Sequence, residues 1–262
     1  MRPENDEIAG GRVVTGNGAG SPRHIGAGQD SAHAWTDRSR IVLTPIAAPS
    51  ILGLFGFAGA TFMVASLLAG WWGDPATDAP VLAPFALFFG GLAQFLAGMW
   101  SYRARDAVAT AMHGTWGAFW LGWGLLVLLV TAGVLPGTVL TSRAFGFWFI
   151  VLCIVTTFGA LAALIDNFAL FVVLGLLAAG SGLLAAGWVG GIPILVVAAG
   201  WVLVASAAAA FYTAGAMMMD EATQGRAALP LGRHGPAAGL AGRDASAPIG
   251  YAAGMPGAKV GQ

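Results

Sequence analysis

Apolar and polar positions along the chain fall into long blocks. Six apolar stretches run at about 47–71, 81–102, 107–133, 143–165, 167–189 and 193–219. Each approaches the roughly 20 residues that carry a helix across about 30 Å of hydrocarbon. The breaks read "GDPATDAP", "SYRARD", "VLPGTVLTSR", "IDN" and "GGIP", and the one at Asp166-Asn167 is the tightest. The pattern predicts an all-α integral membrane protein with six transmembrane helices per protomer. Residues 1–45 read as a flexible tail, 46–219 as the six-helix domain and 220–262 as a second tail. "TGNGAGSPRHIGAG" looks like a nucleotide-binding glycine loop, but no strand precedes it and no apolar helix follows, so it reads as linker.

Charge sharpens this picture. Of the twelve acidic and twelve basic residues, seven lie between Ile46 and Met219: Asp74, Asp78, Arg103, Arg105, Asp106, Arg143 and Asp166. A charge at the bilayer centre costs on the order of 3 kcal/mol or more, which explains the depletion. The arginines also set an orientation. Arg38, Arg40, Arg103, Arg105, Arg226 and Arg233 fall on one side, and Arg143 alone on the other. The positive-inside rule then places both termini in the cytoplasm, as an even number of spans requires. Asp166, at a span boundary, is expected to reach the headgroups.

Composition excludes several functions. The net charge is zero and Lys259 is the single lysine, so there is no basic stripe for nucleic acid. One cysteine, Cys153, cannot form a disulfide or a thiolate metal site within the chain. The opening residues carry acids where a signal peptide would be basic, so none is expected. The metal, hydrolase and phosphate-loop motifs HExxH, GxSxG and GxxxxGK[ST] are missing, so no cofactor, no metal and no enzymatic activity is expected.

Polar and small residues inside the spans are the remaining candidates. The first span places Pro49 at its start and Gly53, Gly56 and Gly59 on one helix face. Small residues let helices approach closely in lipid. A helix start lined this way can also present N–H groups to a carboxylate. Gln94 in the second span reads either as glue between helices or as a donor for an anion. His113 reads as a histidine satisfied by a neighbour, or as a group titrating near neutral pH. Trp71, Trp72, Trp100 and Trp188 fit an interfacial belt, whereas Trp116 lies too deep in its span for one.

Four segments carry a resemblance. Ala48-Pro49-Ser50-Ile51-Leu52-Gly53-Leu54 is similar to an Asn-Pro-Ala-Pro-Leu-Gly-Leu motif, with Ala48 and Ile51 departing from it. "GGLAQFLAG" from Gly90 to Gly98, "WGAFWL" from Trp116, and "GRAALPLG" from Gly225 to Gly232 follow in order. Over about residues 45–233 the chain resembles the acetate uptake transporter, or succinate–acetate permease, family. Where that family has an acid closing its second helix and a tyrosine in its third, this chain has Ser101 and Trp116. The resemblance implies a homohexamer in the cell membrane, each protomer with its own pathway for acetate and similar small monocarboxylates, moved as acid with a proton. Membrane lipids are the other partners. It implies substrate contacts at Pro49, Ser50, Leu52, Gly53, Leu54, Thr61, Gln94 and Thr115, and a hydrophobic constriction of Phe57, Trp116 and Leu174. Two alternatives stay open: a non-transporting ring that organises partners or lipid, and a transporter of another solute such as ammonium.

Overall fold

The computed structural model describes residues 46–165, 167–223, 226 and 229–234. Expectations for residues 1–45, for Asp166 and for the chain beyond residue 234 lie outside that set. The helices are α1 (Pro49–Leu68), α2 (Pro75–Phe85), a π-helical segment (Ala86–Ala93), α3 (Gln94–Ala104), α4 (Ala107–Thr131), α5 (Arg143–Leu164), α6 (Phe168–Gly190) and α7 (Pro193–Ala222). A short 3₁₀ turn, Gly137–Thr141, precedes α5. Six segments are long and apolar enough to cross a membrane, with α2, the π segment and α3 forming one continuous span.

Local sequence explains the boundaries. Pro49 and Pro193 occupy first turns, where the missing N–H has no intrahelical partner to lose. Asp106, Ser142 and Asn167 cap α4, α5 and α6 by accepting from the backbone N–H groups of Ala109, Phe145 and Leu170. The second span begins earlier than the apolar pattern predicts. Asp78 Oδ2 accepts from the backbone N–H of Asp74 at 2.7 Å, which anchors a helical start through "DPATDAP". Pro80 and Pro84 sit inside α2 and remove two helical donors. The winding loosens into the π segment two residues later. Likewise α7 continues past residue 219 to Ala222.

In the bundle, α5 packs on α6, α6 on α7, α7 on α1, and α1 on the π segment and α3, which pack on α4. The α4–α5 seam closes the circuit through aromatic rings: Phe119 lies 5.3 Å from Phe149 between centroids and 6.4 Å from Phe145. Small residues permit the close crossings. A Cβ at Gly98 would stand 2.6 Å from the Gly114 backbone nitrogen, so α3 and α4 touch backbone to backbone. A Cβ at Gly56 would stand 2.6 Å from the Phe89 carbonyl oxygen of the π segment. Trp188, expected in an interfacial belt, packs its ring on α5 near the end of α6. It is half-buried, with its ring 5.1 Å from Phe145 and 5.0 Å from Phe149.

Gly56→Ala should lower stability by about 1–3 kcal/mol, because the obstructing atom is backbone and cannot swing away. Gly215→Ala, at a helical position where a Cβ meets nothing within 4 Å, should be neutral or slightly stabilising. Thermal unfolding of the two purified variants checks the contrast; equal midpoints would remove the close approach of α1.

Candidate functional site

One stripe of α1 faces inward. Ser50, Leu54, Phe57 and Thr61 recur at the steps of a single helix face. The first three line a cavity of about 160 Å³, and Thr61 lines a second of about 740 Å³. A single water needs only about 10–15 Å³ of such space, so even the smaller cavity admits a small organic molecule. The first cavity also takes in Gln94 from α3, Met112, His113 and Trp116 from α4, and Leu174 and Leu177 from α6. Asp106, Asn167 and Arg233 place its mouth at the end of the bundle where the described chain begins and ends. The second cavity reaches the opposite end, past Asp74, Thr138 and Ile192, between walls that include Phe119, Trp120, Trp123 and Phe149.

Trp116 and Leu177 line both cavities. One layer of side chains therefore separates them. The Trp116 indole is 3% exposed and meets Phe57 at 6.2 Å between centroids, with the planes at 67°. Its Nε1–H donates to Thr156 Oγ1 at 3.0 Å, a buried bond from α4 to α5 that fixes the ring across the passage. Among the described residues, four buried side-chain atoms have no hydrogen-bond partner: Thr61 Oγ1, Gln94 Oε1, His113 Nδ1 and Trp120 Nε1. They divide evenly around the layer, with Gln94 and His113 on the first cavity and Thr61 and Trp120 on the second. Buried polar atoms are normally paired, so four orphans flanking one passage mark positions where a polar guest would be favoured.

The structure redistributes the residues expected from the sequence. Ser50, Leu54, Phe57, Gln94, Trp116 and Leu174 line the first cavity, and Thr61 the second. Pro49, Leu52, Gly53 and Thr115 line neither. Pro49 only opens a regular helix, and Leu52 points outward at 47% exposure. Gly53 faces the His113 ring: a Cβ there would lie 2.5 Å from ring atoms Cε1 and Nδ1. The glycine face thus packs against the second span and α4, while the adjacent stripe walls the cavities. Leu174 stays on the first cavity, and the α6 residue shared by both is Leu177, one turn on. Sequence reasoning missed Leu177, which is one apolar residue among many. It also read His113 as satisfied, whereas Nδ1 has no partner among the described residues.

The expected C-terminal tail contributes structure at the first mouth. Residues 229–234 cross the start of α6, where the Phe168 N–H donates to the Gly232 carbonyl at 3.2 Å and that of Ala169 to Leu231 at 3.0 Å. The Tyr212 hydroxyl donates to the Pro230 carbonyl at 2.8 Å, and Arg233 pairs with Asp220 at 2.9 Å. This strap is the end of the "GRAALPLG" motif.

Six apolar spans enclosing two cavities that meet at one aromatic layer define a membrane protein built around a transmembrane passage. Residues 36–226 match the model of the GPR1/FUN34/yaaH family, and the chain belongs to that family. It is 30% identical over 192 residues to the succinate-acetate/proton symporter SatP of Escherichia coli strain K12, covering 72% of this chain and 97% of that one. The solved structure of the bacterial acetate channel SatP superposes with a TM-score of 0.66 at 26% identity, over 72% of this chain and all of that one. A shorter match, 34% over 82 residues, covers 31% of this chain and 28% of the ammonia transport outward protein 2 of Saccharomyces cerevisiae. No group of three or more His, Cys, Asp or Glu side chains able to hold a metal occurs among the described residues.

Thr156→Val should cost about 1–3 kcal/mol, because it leaves the Trp116 Nε1–H buried without an acceptor while preserving volume. Thr156→Ser keeps the acceptor and should lose less. Denaturation of both variants, measured side by side, tests the order, and the reverse order would remove the bond as the anchor of the indole.

Proposed function

We propose that the chain transports acetate and similar small monocarboxylates, each protomer through its own passage, with a proton accompanying each acid. One observation carries the reading: two largely apolar cavities, each bordered by buried unpartnered polar atoms, approach from opposite ends and share the wall of Trp116 and Leu177. The kinship with SatP, an acetate channel and succinate-acetate/proton symporter, supplies the substrate class. We further read the protein as a homohexamer in the cell membrane with cytoplasmic termini, on the family resemblance and the arginine distribution.

Magnitudes favour the neutral acid. A carboxyl with an ordinary pKa near 4.3 is undissociated in about one molecule in 500 at pH 7, a cost of about 3.7 kcal/mol. Moving an unpaired anion into a dry layer costs several kcal/mol even after relaxation, and no compensation is recovered without a counter-charge. The one cation lining either cavity among the described residues is Arg233, at the mouth and paired with Asp220. At the Phe57–Trp116–Leu177 layer the neutral species is the cheaper one, so a proton travels with the acid and no titrating side chain has to relay it. Uptake of labelled acetate into proteoliposomes under an imposed voltage tests this. Flux that follows voltage and carries no protons would overturn the coupling. Saturation by ammonium without acetate uptake would favour the ammonia reading of the yeast relative's name.

Two further outcomes are expected. Cysteines introduced at Ser21 and Ala245 should resist an impermeant reagent applied to intact cells, and labelling of either would reverse the orientation. Trp116→Ala should join the cavities, raise flux and weaken discrimination against propionate and butyrate, while costing about 3–5 kcal/mol in stability. Flux per folded molecule separates the two effects; unchanged selectivity would remove the indole as the constriction.

A further inference from the structure

We propose that His113 recognises substrate in the first cavity, pairing with Gln94 to take an undissociated carboxyl group in preference to a carboxylate; the proposal rests on the transport reading above. His113 is 5% exposed and Gln94 2%, and both line this cavity. His113 Nδ1 and Gln94 Oε1 are two of the buried atoms without a partner among the described residues. Their placement is built. A Cβ at Gly53 would fall 2.5 Å from Cε1 and Nδ1 and 2.6 Å from Cγ of the imidazole, so the face of the ring rests on the bare backbone of α1 and its nitrogens stay at the ring's edge. A Cβ at Gly56, about one turn on, would fall 3.5 Å from the Gln94 Cβ. The two side chains therefore approach the same face of α1 one turn apart.

Their chemistry is complementary to one form of the substrate. A neutral imidazole offers one donor and one acceptor in either tautomer, and an amide offers both in either orientation. A carboxylate only accepts, so it leaves the acceptors of this pair unmet. An undissociated acid donates through its O–H and accepts at its carbonyl, so it can meet both kinds of group. The two charged residues on the cavity are engaged elsewhere: Asp106 Oδ1 accepts from the Ala109 N–H at 2.8 Å, and Arg233 pairs with Asp220 at 2.9 Å. Discrimination here comes from leaving the wrong form's contacts unmade, and it requires no fixed charge.

Acetamide tests this, because it has the shape of acetic acid, donates and accepts, and never ionises near neutral pH. Labelled acetate uptake is measured in proteoliposomes of the full chain, with acetamide as competitor. Acetamide should inhibit the wild type competitively. His113→Leu should weaken that inhibition by about fivefold and raise the acetate KM by a similar factor, the effect of losing one hydrogen bond. His113→Asn, whose amide reaches towards the Nδ1 position, should recover most of both. A merely structural role would lower folded yield and thermal stability in His113→Leu while leaving KM and the inhibition constant unchanged, and that result overturns the proposal. Acetate uptake by the wild type that acetamide does not touch also overturns it. Absence of any acetate uptake by the folded wild type would instead bring down the transport reading beneath it.

Discussion

The closeness of α1 to the second span and to α4 is the constraint on which the passage depends. Lipid gives helices no hydrophobic reason to associate, so contact must come from shape. Gly53 admits the His113 ring and Gly56 admits the Phe89 carbonyl, both inside the distance a side chain would occupy. That carbonyl belongs to the π segment, and the ring of the same Phe89 faces Gly59 one turn further along α1. With the glycine edge taken up by the second span and α4, the adjacent stripe of Ser50, Leu54, Phe57 and Thr61 walls the cavities. A larger residue at Gly53 would meet the His113 ring first, and one at Gly56 the Phe89 backbone.

The opposite wall is held by different means. Between α4 and α5 the contact is a run of rings: Trp116, Phe119, Phe145 and Phe149 meet at centroid distances from 5.2 to 6.4 Å. Edge-to-face rings tolerate small sliding motions, whereas a hydrogen bond in a dry interior does not. The bond from Trp116 to Thr156 therefore supplies the rigidity that the rings lack. It fixes the indole where it borders both cavities and keeps its N–H occupied, so the layer presents hydrocarbon to a solute in transit.

Much of this was legible in the sequence, and the losses have physical causes. Six apolar blocks are a property of composition along the chain, and they survive as six spans. Phe57, Trp116 and Gln94 were found because they break the apolar pattern or match a motif. Leu177 breaks nothing; it matters only because α6 faces the layer at that turn. The π segment leaves no periodic mark in "ALFFGGLA", a run that is apolar on every side. Gly53 and His113 could each be read, but the contact between them joins residues 60 positions apart and depends on how α1 crosses α4. The strap falls within the residues read as a second tail, and a short extended segment has no apolar periodicity to mark it out; its one sequence signal is the end of the "GRAALPLG" motif.

That strap bears on what the mouth can hold. The first turn of a helix has four N–H groups without intrahelical partners, and an open helix start attracts anions. At α6 all four are met. Asn167 donates to the Ala163 carbonyl, Phe168 and Ala169 donate to the carbonyls of Gly232 and Leu231, and Leu170 donates to Asn167 Oδ1. The start of α4 is likewise occupied by Asp106, whose carboxylate accepts from Ala109. A mouth built to concentrate carboxylate would leave such donors open and its arginine unpaired. Here the start of α6 is covered, that of α4 is capped at Ala109, and Arg233 faces Asp220. The charged groups at the entrance are thus engaged within the fold, and the unpartnered polar atoms of this cavity lie deeper, at Gln94 and His113.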